Sequence, residues 1–100
     1  MGEVVRFPQP VPDARGEQPE PLWRELVGAE LHRERVDRGE RLVDVAERAG
    51  VSMQYLSEIE RGLKDPSSEM LQAITGALGL TVRQLVVRAS RPTGPLALAA

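Results

Sequence analysis

The sequence predicts an all-α protein that folds as a bundle of five short helices. Leu, Ala, Glu and Arg, which favour helices, are abundant, whereas aromatic residues make up only 3% of the chain. Between residues 22 and 89, apolar residues recur every three or four positions, as one face of a helix requires. Glycines and cap residues divide this segment into pieces of helical length. With 100 residues, the chain is long enough for one compact domain.

The first two helices are delimited by glycines. The first is expected to have Pro21 in its first turn, to run to about Arg38 and to stop at Gly39. The second is expected over residues 42–49 and is followed by Gly50. Trp23 in the first helix is expected in the core, as is Met70 later in the chain.

Three further helices each follow a hydroxyl residue that can cap an N-terminus, namely Ser52, Ser67 and Thr81. The third helix is expected to continue to Ile59 or Arg61, and the fourth to end at Gly79. Thr81 and Gln84 have the spacing of a capping box, so the fifth helix is expected to begin there.

The two flanks of the bundle differ from it in composition. Residues 1–21 contain five prolines and two glycines, which predicts a flexible, disordered arm. Residues 90–100 begin with Ser, Arg, Pro, Thr and Gly and predict a second disordered tail. The predicted organisation is therefore an arm (1–21), a helical domain (22–89) and a tail (90–100).

Several function classes have no support in the sequence. The chain has no cysteine, which rules out disulfides and thiolate metal sites and is typical of a cytoplasmic protein. No apolar run has the length of a membrane span, and no signal peptide is recognisable. His32 is the single histidine, so neither a metal nor another cofactor is expected. The serines have no plausible general base, so an enzyme is not expected.

The second and third helices, with the turn between them, carry a specific pattern. Ala46 is small where two helices can cross, and Gly50 permits a positive φ at the turn. Val51 can fill the angle between the helices, while Leu56 and Ile59 can hold the third helix on the core. At this spacing, residues 44–62 resemble the Xre-type helix-turn-helix of phage repressors, whose third helix enters the major groove of DNA.

The resemblance implies a role for each exposed residue of the third helix. Its base-reading positions correspond to Met53, Gln54, Ser57 and Glu58. Gln54 can bind adenine in a bidentate manner, Glu58 can accept from cytosine N4, and Met53 can touch a thymine methyl group. Phosphate contacts are expected from Arg41, Ser52, Tyr55, Arg61 and Lys64. The alternative is that this polar face of an amphipathic helix is only solvated.

A closer resemblance covers residues 55–62 and 64–71, which are similar to the Clp gene regulators of actinobacteria, the ClgR and PopR type. That resemblance extends over about residues 22–87 and implies a dimeric activator of genes for the Clp protease and proteostasis. An activator would also contact RNA polymerase, for which exposed Glu47 is a candidate. The resemblance further implies that Glu60 is structural and holds the following loop. One departure is Arg41-Leu42, where the wider fold often has Thr-Gln and a helix cap.

The charge of the chain argues for a dimer. The formal net charge is −2, and residues 22–88 carry ten basic against eleven acidic residues. Affinity for DNA must therefore come from a local arrangement of cations and from two copies, about 34 Å apart on a palindromic operator. The expected dimer interface comprises Leu80, Val82, Val86 and Val87. The alternative is that these residues only close the bundle.

The last four residues, Ala97 to Ala100, are similar to the tag that Clp proteases recognise on products of stalled translation. Leu98, Ala99 and Ala100 are therefore a candidate degron, through which the Clp protease would degrade its own regulator. The alternative is a chance ending in an alanine-rich proteome.

Two other functions use the same fold. A protein-interaction module that has lost DNA binding would explain the acidic balance and Glu58 in the reading face. An antitoxin would bind both DNA and a toxin. Binding to a palindromic promoter fragment with a steep salt dependence would exclude the first, and co-purification of a small toxin would indicate the second.

Overall fold

The computed structural model describes residues 21–91, which contain five α-helices and no strand. The helices are α1 (Trp23–Asp37), α2 (Leu42–Ala49), α3 (Met53–Glu60), α4 (Ser68–Ala77) and α5 (Val82–Ala89). The predicted all-α bundle of five helices is confirmed. Apart from Pro21, the predicted arm lies outside the described residues, as does the candidate degron of Leu98, Ala99 and Ala100.

Every helix contributes to one hydrophobic core. Each helix buries at least one side chain completely: in order from α1 to α5, these include Leu31, Val45, Leu56, Ile74 and Leu85. All five lie on the apolar stripes of their helices, and burial of a side chain of this size contributes roughly 1.5–3 kcal/mol. The apolar periodicity therefore selects which face of each helix points inward.

The predicted N-terminal caps are all formed. The hydroxyl oxygens of Ser52, Ser67 and Thr81 accept hydrogen bonds from backbone N–H groups at 2.9, 3.1 and 3.0 Å. Oε1 of Gln84 in turn accepts a hydrogen bond from the backbone N–H of Thr81 at 2.9 Å, which completes the predicted capping box. Each such cap is worth about 1 kcal/mol, so the caps help to fix where α3, α4 and α5 begin.

The start of α1 differs from the prediction. The helix begins at Trp23, with Leu22 as its N-cap, so Pro21 lies before the helix and not in its first turn. Trp23 is also 47% exposed, and its expected place in the core is wrong. The reason is that α1 first meets the core at Leu26 and Val27, nearly one turn further along, so its first residue lies outside the core cluster.

Arg48 connects α2 to the end of α4. Its guanidinium donates to the carbonyl of Ala77 at 2.7 and 3.2 Å and also pairs with Glu40. A cation at the C-terminus of a helix satisfies carbonyls that have no partner within the helix. The contact therefore holds α2, the first helix of the predicted DNA-binding motif, against the rest of the bundle.

No single helix between residues 21 and 91 is long and apolar enough to cross a membrane. The pair α4 and α5 reaches that length and composition only when joined across a bend of 95°. Both helices of this pair contribute to the core, through Ile74 and Leu78 of α4 and Leu85 of α5.

Candidate nucleic-acid interface

The turn between α2 and α3 has the geometry that the sequence predicts. Gly50 has φ 73° and ψ 28°, in the left-handed region where a side chain is strained. The backbone N–H of Val51 then donates to the carbonyl of Ala46 at 3.0 Å, and Ala46 itself is buried. This tight turn sets the angle at which α3 leaves α2.

α3 is held on the core by one face and exposes the other. Leu56 and Ile59 are fully buried, whereas Met53 and Gln54 are exposed at the opposite face. Ser57, another predicted base-reading residue, is half-buried. α3 therefore presents a polar face at its N-terminal end, where a helix that enters the major groove makes its base contacts.

The C-terminal end of α3 packs directly on the backbone of α1 at Gly28. A Cβ atom added to Gly28 would lie 2.2 Å from the carbonyl oxygen of Ile59 and 2.8 Å from that of Glu60. The side chain of Arg24 reaches the same region and donates from Nε to the carbonyl of Gly62 at 2.9 Å. This crossing cannot be recognised from the sequence, because a glycine within a helix gives no signal of which backbone approaches it.

Glu60, at the end of α3, is part of an ion cluster with α1. Its Oε2 accepts from Nε of Arg35 at 2.7 Å, and its Oε1 lies 2.9 Å from Nδ1 of His32. Arg35 also donates to the carbonyl of Glu40 at 2.9 Å. The expected structural role of Glu60 is thus observed, but the expected partner is wrong, since Glu60 binds α1 and not the following loop.

The pKa of Glu60 reflects two opposing effects. Burial of its carboxyl group, which is 6% exposed, would raise the pKa, but the hydrogen bonds from Arg35 and His32 outweigh burial. The net result is a pKa below the ordinary value of 4.5, so the carboxylate is ionised at neutral pH. The cluster therefore fixes α3 to α1 by an ion pair that is largely shielded from solvent.

Several of the predicted DNA-contacting residues meet on the surface of α3. Glu58 lies 3.2 Å from Nζ of Lys64 and accepts a long hydrogen bond of 3.4 Å from Nε2 of Gln54. Nε of Arg61 lies 3.3 Å from the hydroxyl oxygen of Ser57. In the structure, two predicted base-reading residues, Glu58 and Ser57, thus each lie next to a predicted phosphate-binding residue, Lys64 and Arg61 respectively.

Arg41 precedes α2 and takes the N-cap position without a side-chain cap, which agrees with the predicted loss of the cap. Its guanidinium instead binds Asp44 through two hydrogen bonds of 3.1 and 3.2 Å. That hydrogen bonding lowers the pKa of Asp44 and raises the pKa of Arg41. The side chain of Arg41 is 76% exposed, so its cation is accessible to a phosphate despite this pair.

The residues of the predicted dimer interface fall into two groups. Leu80 is buried in the core of the chain itself and helps to close the bundle, whereas Val82 is half-buried. Val86 and Val87 are exposed on α5, Val87 by 55%. Of the four predicted interface residues, only Val86, Val87 and the exposed part of Val82 therefore offer apolar surface to a second copy.

Comparison with known proteins identifies the fold. A family model described as Helix-turn-helix (HTH_3) matches residues 31–85, more than half of the chain. The chain belongs to this helix-turn-helix family. Within the family it carries an Xre-type domain, as the resemblance predicted. The family confirms the predicted class, a DNA-binding transcriptional regulator and not an enzyme.

Two regulators called ClgR are similar to this helix-turn-helix chain. The transcriptional regulator ClgR of Mycobacterium tuberculosis is 48% identical over 68 residues, which are 68% of this chain and 61% of that protein. The match therefore spans less than two thirds of the relative. The crystal structure of the clp gene regulator ClgR from Corynebacterium glutamicum superimposes with a TM-score of 0.70 at 47% identity, covering 72% of this chain and 77% of that chain.

A more distant helix-turn-helix relative has been solved with DNA. The crystal structure of SinR, the master regulator for biofilm formation, in complex with DNA matches with a TM-score of 0.56 at 36% identity. The match covers 60% of this chain and 97% of that chain. The likeness therefore includes nearly all of that SinR chain.

Proposed function

We propose that this chain is a dimeric, sequence-specific activator of Clp protease and proteostasis genes that reads a palindromic operator with α3. The observation that carries the proposal is the identity of 47–48% with ClgR proteins, one of them described as a clp gene regulator. SinR, at lower identity, is bound to DNA in its crystal structure. Both likenesses favour the same use of the shared fold.

The polar face of α3 supports the proposal at the level of residues. The side chains of Met53 and Gln54 are exposed at the N-terminal end of this helix. Arg61 and Lys64 add cations next to this face, where they lie beside Ser57 and Glu58 of α3. Arg41 adds a further cation at the N-cap of α2. Such a face combines groups that recognise base edges with groups that recognise phosphates.

Replacement of Gln54 by alanine tests base reading. We expect the affinity for a clp promoter fragment to fall by roughly 5- to 150-fold, because a bidentate contact to a base is worth about 1–3 kcal/mol. Affinity for a random duplex should stay unchanged, since no charge is removed. Fluorescence anisotropy at one fixed salt concentration measures both.

The matched control is Gln72→Ala, which removes an exposed glutamine from α4 and should change neither affinity. An equal loss on both duplexes in Gln54→Ala would contradict a base-reading role. If the wild-type chain bound the promoter fragment no better than the random duplex, the proposed function itself would be wrong.

The dimer is supported by exposed apolar residues and by the charge of the chain. Val86 and Val87 of α5 expose apolar surface, and a chain with a net charge of −2 needs two sets of phosphate contacts for firm binding. We expect Val87→Asp to convert the dimer to a monomer, because two carboxylates would meet across a two-fold axis. Sedimentation velocity measures the change.

A valine of similar exposure on another helix provides the control for this prediction. Val36→Asp places the same charge near the end of α1 and should leave the dimer intact. An unchanged sedimentation coefficient for Val87→Asp, or the same dissociation for both variants, would rule out α5 as the interface.

Activation through RNA polymerase and turnover by the Clp protease remain predictions from the resemblance. Genome-wide mapping of bound DNA distinguishes the proposed activator from an antitoxin of the same fold. Sites upstream of Clp genes support the activator, whereas sites confined to the promoter of a neighbouring toxin gene indicate the antitoxin.

A further inference from the structure

One carboxylate engages two of the residues that face DNA in the proposed complex. Glu58 Oε1 lies 3.2 Å from Nζ of Lys64, and its Oε2 accepts from Gln54 Nε2 at 3.4 Å. The ammonium group of Lys64 also lies 6.0 Å from the centroid of the Tyr55 ring, within reach of a cation–π contact. A cation for phosphate and an amide for adenine are thus both held within the protomer.

The pair between Glu58 and Lys64 is present at neutral pH. The hydrogen bond from Lys64, followed by that from Gln54, lowers the pKa of Glu58 below its ordinary value of 4.5. An ionised carboxylate is repelled by DNA phosphates unless a cation or a base N–H group satisfies it. In the major groove, cytosine N4 is the base group that donates to a carboxylate.

We propose that Glu58 determines specificity by exclusion, an inference that rests on the proposed placement of α3 in the major groove. Opposite a cytosine, the carboxylate accepts from N4–H and releases Lys64 to a phosphate. Opposite any other base, Glu58 either keeps Lys64, so that one phosphate contact is lost, or faces the groove without a partner. Glu58 thereby weakens binding to non-cognate DNA more than it weakens binding to the operator.

Replacement of Glu58 by glutamine tests the exclusion on DNA of random sequence. Lys64 becomes available to a phosphate, so the plot of log K against log salt should steepen by about 0.9 for each bound protomer. At ~0.1 M salt this corresponds to roughly an eightfold gain in affinity per protomer. Fluorescence anisotropy with a random duplex at several salt concentrations measures both quantities, and circular dichroism confirms the fold.

Two further variants separate this effect from a general change of charge. Asp37→Asn removes one negative charge from the exposed end of α1 and should give a much smaller gain than Glu58→Gln. Lys64→Gln should weaken binding to the random duplex little in the wild-type background but about eightfold in the Glu58→Gln background. Additive effects of the two substitutions, or equal gains for Asp37→Asn and Glu58→Gln, would overturn the proposal.

Selection of binding sites from a random DNA library tests the role of cytosine. The wild-type chain should select a motif with an invariant C·G pair in each half-site, and Glu58→Gln should select the same motif without the C·G preference at that position, either degenerate or shifted to A·T, because glutamine can bind adenine. A motif that is unchanged in the variant would refute the exclusion but not the proposed function. Selection of no motif by the wild-type chain would instead refute the proposed function.

Discussion

Replacement of Gly28 by alanine is expected to cost more than about 3 kcal/mol of the free energy of unfolding, or to unfold the domain. The new Cβ would meet the backbone carbonyls of Ile59 and Glu60 at 2.2 and 2.8 Å. Both atoms belong to the last turn of α3, so no side-chain rotation can relieve the overlap. α1 and α3 must separate, and urea unfolding followed by circular dichroism measures the loss.

Gly76 offers a matched control in the same fold. It also lies within a helix, but a Cβ atom added there meets nothing within 4 Å. Gly76→Ala should therefore stabilise the domain by about 0.5–1 kcal/mol, because glycine is a poor helix former. If Gly28→Ala proved as stable as the wild-type chain, the close crossing of α1 and α3 would be disproved.

The second large effect is expected from Arg35→Met, which should cost about 3 kcal/mol at neutral pH. The substitution leaves the shielded carboxylate of Glu60 with His32 as its remaining side-chain partner in the cluster. By contrast, Arg33→Met breaks an ion pair with Glu30 in which the arginine side chain is 61% exposed, and it should cost less than about 1 kcal/mol. Urea unfolding of both variants compares the two pairs directly.

The ion pair of Arg35 and Glu60 also predicts how stability depends on pH. Because the pKa of Glu60 is lower in the folded state than its ordinary value of 4.5, the carboxylate stabilises the fold above pH 4.5. This contribution is lost as the pH falls below 4.5 through the lower folded pKa. Arg35→Met should flatten the stability profile in this range, and an equally steep profile would show that the pair does not carry it.

Local signals predicted much of this fold. The caps at Ser52, Ser67 and Thr81 and the turn at Gly50 are each determined by a residue and its near neighbours in sequence, so a pattern can predict them. The wrong prediction for Trp23 has the same origin. Its spacing matches the apolar stripe of α1, but spacing does not reveal that the core cluster does not extend to the first residue of the helix.

The contacts that hold α3 against α1 could not be predicted in this way. Gly28 approaches residues about 31 positions later in the chain, and Arg35 pairs with Glu60 across 25 positions. Such contacts depend on how the helices pack, which no local pattern contains. The motif did indicate that Glu60 has a structural role, but only the structure identifies Arg35 and His32 as its partners.

These contacts with α1 lie at the C-terminal end of α3, whereas the exposed residues Met53 and Gln54 lie at the other end. Mechanically, α3 is a short rod held by α1 at its C-terminal end and by the turn from α2 at the other end. At 1.5 Å per residue it is about 10 Å long, so a tilt of about 10° moves one end relative to the other by roughly 2 Å. That displacement is enough to break a hydrogen bond. If α3 reads DNA as proposed, residues of α1 would thus help to set which base its exposed N-terminal end can reach.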